Sequence, residues 1–226
     1  MGTHRLSRGL SLIELMVGTA VGLVAAAAGA ALVSAHVHDS RRLVAEARLM
    51  QDLRTAADIV ARDLRRAGYW ASAASGVRGD DEGEIVVANP YVALAASAAA
   101  SDAVAFAFSR DVIENDTVDG NEQFGFRLRT GALELQLGAG NWQAITDIGT
   151  VVVTGFAVES RVDAISLAAF CSAPCPAGST TCPPRQEVRS VAFTLSGRSA
   201  GDANVIRTLG GRARVRNDRI VGSCEV

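Results

Sequence analysis

The chain contains no lysine, so all 22 of its Lys/Arg residues are arginine. Aromatic residues make up only 5 %, and there are three histidines. Each shortage excludes something. With so few aromatics, a core must rest on Val, Leu, Ile and Ala. The histidines are His4, His36 and His38, so nothing after residue 38 can supply the imidazole of a Ser-His-Asp or Cys-His arrangement. No G-x-S-x-G and no H-E-x-x-H occurs. We therefore expect no enzyme and no cofactor. A net charge of −2 excludes bulk attraction to nucleic acid.

Charge is also missing from one long stretch. Between Glu14 and Asp39 there is no acidic or basic residue other than the two histidines. The uncharged run from Leu15 to Val37 is long enough to span a bilayer with some tilt. Arg5 and Arg8 would keep the N-terminus in the cytoplasm. A secretory signal cut after Val33-Ser34-Ala35 would need a shorter apolar region. Neither a signal nor a plain anchor explains Glu14, a carboxylate at the head of the run.

Gly9-Leu10-Ser11-Leu12-Ile13-Glu14 resembles the recognition sequence of prepilin peptidase. That family has a short basic leader ending in Gly, then an apolar residue, Ser or Thr, two apolar residues and Glu. The resemblance implies a leader over 1–9, cleavage between Gly9 and Leu10, and N-methylation of Leu10. Phe is commoner than Leu at that place. It also gives Glu14 a role in assembly and register. A carboxylate in lipid costs about 2.5–3.5 kcal/mol on insertion scales and normally has a partner. In the filament family the partner is the new N-terminal ammonium of the same or a neighbouring subunit. Gly18-x-x-x-Gly22 permits close helix approach. Many pilins carry a Pro where this chain has Ala31.

The helical pattern continues past the apolar run. Leu43, Ala47, Met50, Leu53, Ala57, Val60, Leu64 and Ala67 share one helical face. Asp58 and Arg62 stand four apart in the favourable order, and Gly68 suits a helix stop. His36 and His38 mark the place where the helix could break. The spacing thus predicts a membrane half over 10–37, an amphipathic half over 38–68 and a β-rich domain over 69–226. Within the last, residues 71–101 read as loop with one strand at Glu84–Ala88 and an acidic cluster at Asp80, Asp81 and Glu82. Ala103–Phe108, Val151–Val158, Val188–Leu195 and Arg212–Arg216 read as strands. Phe124–Arg129 and Leu133–Leu137 read as a hairpin about Thr130-Gly131. The fold class is α+β: a long N-terminal helix packed on antiparallel sheet.

Four cysteines, Cys171, Cys175, Cys182 and Cys224, lie in the last quarter. An even count behind an export-type N-terminus points to disulfides. The spacing lacks paired C-x2-C and a nearby His, so we expect no structural metal. Of three connectivities, Cys171–Cys224 and Cys175–Cys182 are expected. Cys224 would otherwise leave a fraying tail, and Pro and Gly between Cys175 and Cys182 suit a local closure.

Two polar clusters remain. Asp111, Asp116, Asp119 and Asn121 are hard oxygen ligands that would suit calcium, although no EF-hand spacing is present; a solvated acidic turn is the preferred reading. Arg212, Arg214 and Arg216 alternate along one strand face and could read phosphate; a solvated or salt-bridged face is preferred, and a nucleic-acid partner is not expected.

"RLMQDLRTAADIVARDLRRAGYW" resembles the second half of the helix in PilW-type minor pilins. "FGFRLRTGALEL" followed by "WQAITD" resembles their β domain. The "RDLR" ending is shared with J-type pseudopilins of type II secretion, the alternative assignment. A second alternative is a ligand- or DNA-binding pilus adhesin. The PilW resemblance implies a low-abundance pilin-like subunit that primes type IV pilus assembly near the tip, in motility, adhesion or DNA uptake. It implies as partners prepilin peptidase, other minor pilins, the major pilin, the inner-membrane assembly platform and a large tip adhesin. It implies a single-pass inner-membrane location, N-terminus inside, before incorporation into the filament.

Overall fold

A computed structural model describes residues 11–76, 88–95 and 101–225. The expected leader, the Gly9–Leu10 junction, the acidic cluster 80–82 and most of the expected strand 84–88 lie outside the described residues. By internal contacts the chain divides into two compact units, 1–45 and 46–226.

One helix, α1 (Leu12–Leu64, 53 residues), runs without a break through His36 and His38. In the first unit its apolar residues face outward: Leu12 is 76 % exposed, Leu23 71 % and Leu32 65 %. This stretch is long and apolar enough to cross a membrane, with a mean hydropathy of 2.1 over its most apolar window.

In the second unit α1 buries Leu49, Leu53, Ala56, Val60 and Leu64. That stripe differs from the expected one. Leu43 and Ala47 are exposed, while Met50 and Ala57 are only half-buried. The i, i+4 ladder is centred on Leu49 and Leu53 because those two lie against Gly197, where a β-carbon would come within 3.0 Å of Leu53 Cδ2. Arg62 also departs from expectation. It pairs with its neighbour Asp63 at 3.5 Å instead of Asp58.

The helix packs on antiparallel sheet, as expected, and that sheet is divided in two. The first is a meander in chain order: β1 (Leu94–Ala95), β2 (Ala103–Ala107), β3 (Gln123–Arg129), β4 (Ala132–Leu137) and β5 (Trp142–Ala144). Thr130 and Gly131, both at positive φ, turn β3 into β4. The second sheet pairs β6 (Val151–Ser166) with β7 (Arg185–Ser199), and β7 with β8 (Ile206–Arg214) and the short β9 (Arg219–Val221). The core joins the buried stripe of α1 to Val104, Phe106, Phe124 and Phe126 of the first sheet and to Phe156, Val158, Val191 and Phe193 of the second. Burying each such side chain contributes about 1.5–3 kcal/mol before entropy.

Gly68 ties the end of the helix to both sheets. Its φ of +74° suits glycine, and an added β-carbon would lie 3.1 Å from Arg216 O and from Arg189 Nη2. Its N–H donates to Ala107 O at 2.8 Å. Its carbonyl accepts from Asn89 Nδ2 and Asn217 Nδ2 at 2.9 and 3.1 Å. The two disulfides join Cys171 to Cys224 and Cys175 to Cys182, with Cα separations of 5.3 and 5.4 Å. They staple the β6–β7 connection to itself and to the C-terminal tail, in the pairing expected above.

Candidate functional site

The head of α1 is built from Ser11 and Glu14. The Ile13 N–H donates to Ser11 Oγ at 3.4 Å, and the Ser11 N–H donates to Glu14 Oε2 at 3.2 Å. Ser11 thus caps the helix through Ile13 N–H, and Glu14 supplies the returning half of a capping box. A carboxylate in the first turn also complements the positive end of the helix dipole. The S-x-x-E spacing was legible in the sequence, but the apolar run around it drew the reading toward lipid alone. Leu10 lies outside the described residues.

A second cluster lies in the loop between β2 and β3. Glu122 is fully buried. Its Oε1 accepts from the Arg110 N–H at 2.6 Å, and its Oε2 accepts from the Asp119 N–H and the Tyr91 hydroxyl, both at 3.0 Å. Glu114 accepts from the Asp116 N–H at 3.1 Å, the Ala71 N–H at 3.2 Å and, at 3.0 Å, lies within reach of the same Tyr91 hydroxyl. Trp70 Nε1–H donates to Asp116 Oδ1 at 2.7 Å. These acids are fasteners that lash the loop to Trp70, Ala71 and Tyr91.

Ionisation follows from that arrangement. Burial, reinforced by Glu114 and Glu122, pushes the Tyr91 hydroxyl far above its ordinary value of 10.0. Burial would raise Glu114, but hydrogen bonds from Ser109, Tyr91, Ala71 and Asp116 outweigh it and hold the carboxyl below its usual range. Asp111 is held above its usual range by desolvation and by the negative charge of Glu122.

The expected calcium ligands are only partly assembled. Asp111 and Asp119 each bring an oxygen within 4.8 Å of the other and of Glu122. Asp116 is committed to Trp70. Asn121 offers its backbone carbonyl to Arg110 Nη1 at 3.4 Å and joins no cluster. Asp111, Asp119 and Glu122 could hold a hard cation, yet Glu122 already takes three protein donors. The turn is solvated at Asp116 and Asn121, which are exposed, while Glu122 is buried beneath it. The Asp119-x-x-Glu122 spacing, a second capping-box pattern, was the available signal.

The arginine stripe is displaced as well. β8 ends at Arg214, so Arg216 lies beyond the strand. Arg214 pairs with Asp218. Arg216 lies 5.7 Å from the Tyr69 ring centre. Arg212 is exposed.

Comparison with known families bears on these features together. Residues 42–215 match the model of prepilin peptidase-dependent protein B. No curated protein and no solved structure matches the chain. The family match begins within α1 and runs through both sheets as far as Val215, just past the end of β8. It covers well over half of the sequence, behind a membrane-capable helix headed by Ser11 and Glu14. The chain belongs to the prepilin peptidase-dependent protein B family, whose name describes pilin-like proteins that depend on prepilin peptidase.

Proposed function

We propose that this chain is a minor pilin that helps to initiate a type IV pilus and stays near its tip. The observation that carries the reading is the family match over 42–215 on a chain whose apolar helix begins at Leu12, directly after the peptidase-like Gly9–Ser11 stretch. In this reading the peptidase cuts between Gly9 and Leu10 and Leu10 is N-methylated. The new ammonium then pairs with Glu14 on its own or a neighbouring chain. The first half of α1 rests in the inner membrane and later in the filament core. There its outward-facing apolar residues exchange lipid for other helices. The β-rich unit stays on the far side of the membrane, where disulfides form, and meets other minor pilins, the major pilin, the assembly platform and a large tip adhesin. The role is structural rather than enzymatic.

Mass spectrometry of the membrane-bound chain tests the first step. A mature N-terminus at methylated Leu10 is expected; one at His36 means ordinary secretion and overturns the reading. Deleting the gene tests the second step. Loss of surface pili with type II secretion intact is expected, whereas the converse assigns the chain to a secretion pseudopilus as a J-type subunit.

A further inference from the structure

β6 is covered on both sides for part of its length and on one side for the rest. On the side away from β7, the Ser101 N–H donates to Val158 O at 3.0 Å and the Val158 N–H to Ser101 O at 2.8 Å. Beyond that bridge, among the described residues, β7 alone pairs with β6 as far as Ser166. The exchange at Val158 fixes the direction of the backbone groups that follow. They alternate along an antiparallel strand, so Val162 and Ala164 turn their N–H and C=O away from β7. Arg189, opposite Val162, agrees: its carbonyl accepts from the Val215 N–H at 2.9 Å, on the far side from β6. Edge strands are usually blunted by proline, by a bulge or by a covering element. Arg161–Ser166 contains no proline and is exposed throughout, with Val162 at 55 % and Ile165 at 52 %. The bulge of β6 lies at its other end, between Val153 and Gly155. Arg161 leans on Glu159 at 3.6 Å, while among the described residues Asp163 has no ion pair.

We propose that this edge is an interface for a second copy of the chain, which adds its own β6 in antiparallel register centred on Val162. A two-fold pairing sets outward-turned residues opposite outward-turned residues, so Val162 exchanges backbone bonds with its own counterpart. Arg161 then faces Asp163 of the second copy, and Asp163 faces its Arg161. Both pairs fall at positions without backbone bonds across the new edge, where side chains lie closest. Opposite charges in that relation stabilise a sheet and like charges destabilise it. The other registers fare worse. Centring on Arg161 or on Asp163 sets like charges face to face. Centring on Ser160 needs the Val158 edge that Ser101 holds. Centring on Ala164 leaves Asp163 against Ile165. A different protein would have to bring a matching charge pattern, whereas this chain already carries it. The contact is short, and it gains from holding both chains by α1 in one bilayer, which raises their effective concentration. In that respect the proposal rests on the membrane reading of α1, and it does not depend on pilus assembly.

The test is oxidative cross-linking of full-length Val162→Cys in vesicles of phosphatidylethanolamine and phosphatidylglycerol, read on non-reducing gels. A bonded antiparallel pair holds its Cα atoms about 5.5 Å apart, within reach of a disulfide. Val162→Cys should therefore give a covalent dimer. Thr194→Cys, exposed on β7 of the same sheet, should give less by about fivefold or more, since no pairing brings it to its counterpart. Adding Asp163→Arg to Val162→Cys sets like charges opposite each other twice and should lower the dimer yield about tenfold. Adding Arg161→Asp as well reverses both pairs and should restore the yield to within about twofold, which a misfolded chain would not do. Flotation with the vesicles reads the anchor separately, and a chain that does not float overturns the membrane reading of α1 and this proposal with it. With the chain anchored, three results would overturn the pairing alone: no dimer at Val162→Cys, equal yield at Thr194→Cys, or a yield indifferent to Asp163→Arg.

Discussion

The two halves of α1 solve opposite problems with one backbone. Up to Val37 the helix presents leucine, valine and alanine outward on every side, and none of its described residues there is buried. From Leu49 onward it presents a single apolar stripe to two sheets and turns arginine, aspartate and threonine to water. A helix that is hydrophobic all round needs an apolar surrounding, whereas a striped one needs only a partner surface. The first half therefore owes its order to something outside the chain, and the second half to the chain itself.

This contrast can be broken by paired substitutions. Leu53→Ala removes a side chain with no exposure and leaves a cavity between α1 and the second sheet. It should cost about 3 kcal/mol. Leu23→Ala removes the same atoms from a residue that is 71 % exposed. It should change unfolding by less than about 0.5 kcal/mol. Denaturant titration of the full chain in detergent, followed by tryptophan fluorescence, reads both. Equal effects would mean that the first half of α1 packs on the chain.

The disulfides carry a similar contrast within the β-rich unit. The Cys171–Cys224 bond closes a separation of 53 residues and Cys175–Cys182 one of 7. Replacing Cys171 and Cys224 by serine should cost roughly 2–4 kcal/mol in the chain-entropy picture, and replacing the shorter pair less. The same denaturant titration, run without reductant, ranks the two double variants. The reverse order would mean that the tail is held by contacts other than its bond.

The fold was legible where residues repeat and illegible where they do not. The Phe124–Leu137 hairpin alternates cleanly and turns at Thr130-Gly131, and it lies where the pattern puts it. β1, β5 and β9 have two or three residues each, too few to show a period. The outer part of β6, from Glu159 to Ser166, is largely exposed, so neither face prints an apolar pattern, and β7 alone supplies its ladder. β8 was read late, at Arg212, because Gly210 and Gly211 break strand propensity. Gly211 is required there: its partner Phe193 lays its ring across the position, and a β-carbon would meet the ring at 2.3 Å. At the candidate sites the alternatives were all electrostatic. Glu14 was weighed as a charge in lipid, yet Glu14 and Glu122 alike stand three residues after a capping position and accept its N–H.

Tyr91 separates the acidic loop from the arginine stripe by its dependence on pH. Tyr91→Phe leaves Glu114 and Glu122 short of a shared donor and should cost about 1–3 kcal/mol. Because the folded hydroxyl is raised above its unfolded value of 10.0, its contribution is full below pH 10 and is lost as pH rises further. Glu114 has the opposite sign. Its folded value is lowered, so its contribution is present above the ordinary carboxylate range and is lost on acidification through the folded value. Wild-type stability should therefore fall at both ends, and Tyr91→Phe should flatten the alkaline fall. An unchanged alkaline limb would remove Tyr91 from this role. Asp111→Asn should raise the melting temperature at neutral pH, since Asp111 is held as a reluctant anion beside Glu122. The gain should vanish in acid, where the wild-type carboxyl is protonated. If added calcium turns that gain into a loss, the carboxylates of Asp111, Asp119 and Glu122 hold a cation.

Glu14→Val is expected to have the smallest effect on the fold and the largest on assembly. Glu14 lies in the first unit and bonds only Ser11 among the described residues. Losing half of the capping box should fray the first turn and leave the denaturation midpoint of the β-rich unit unchanged. Insertion should become easier by about the cost of a carboxylate in lipid, roughly 2.5–3.5 kcal/mol, so the variant should reach the membrane and be cleaved at Gly9. On the proposed function, what it lacks is a counter-charge for the ammonium of Leu10. That ammonium must then enter the filament core unpaired or remain at the membrane surface, and either outcome displaces the helix along its axis. Surface pili should fall at least tenfold in a strain that carries only the variant. Glu14→Gln separates the two uses of the side chain, because its amide oxygen can still accept the Ser11 N–H but offers no charge. Recovery of pili by Gln would assign Glu14 to capping alone; continued loss would assign it to the ammonium.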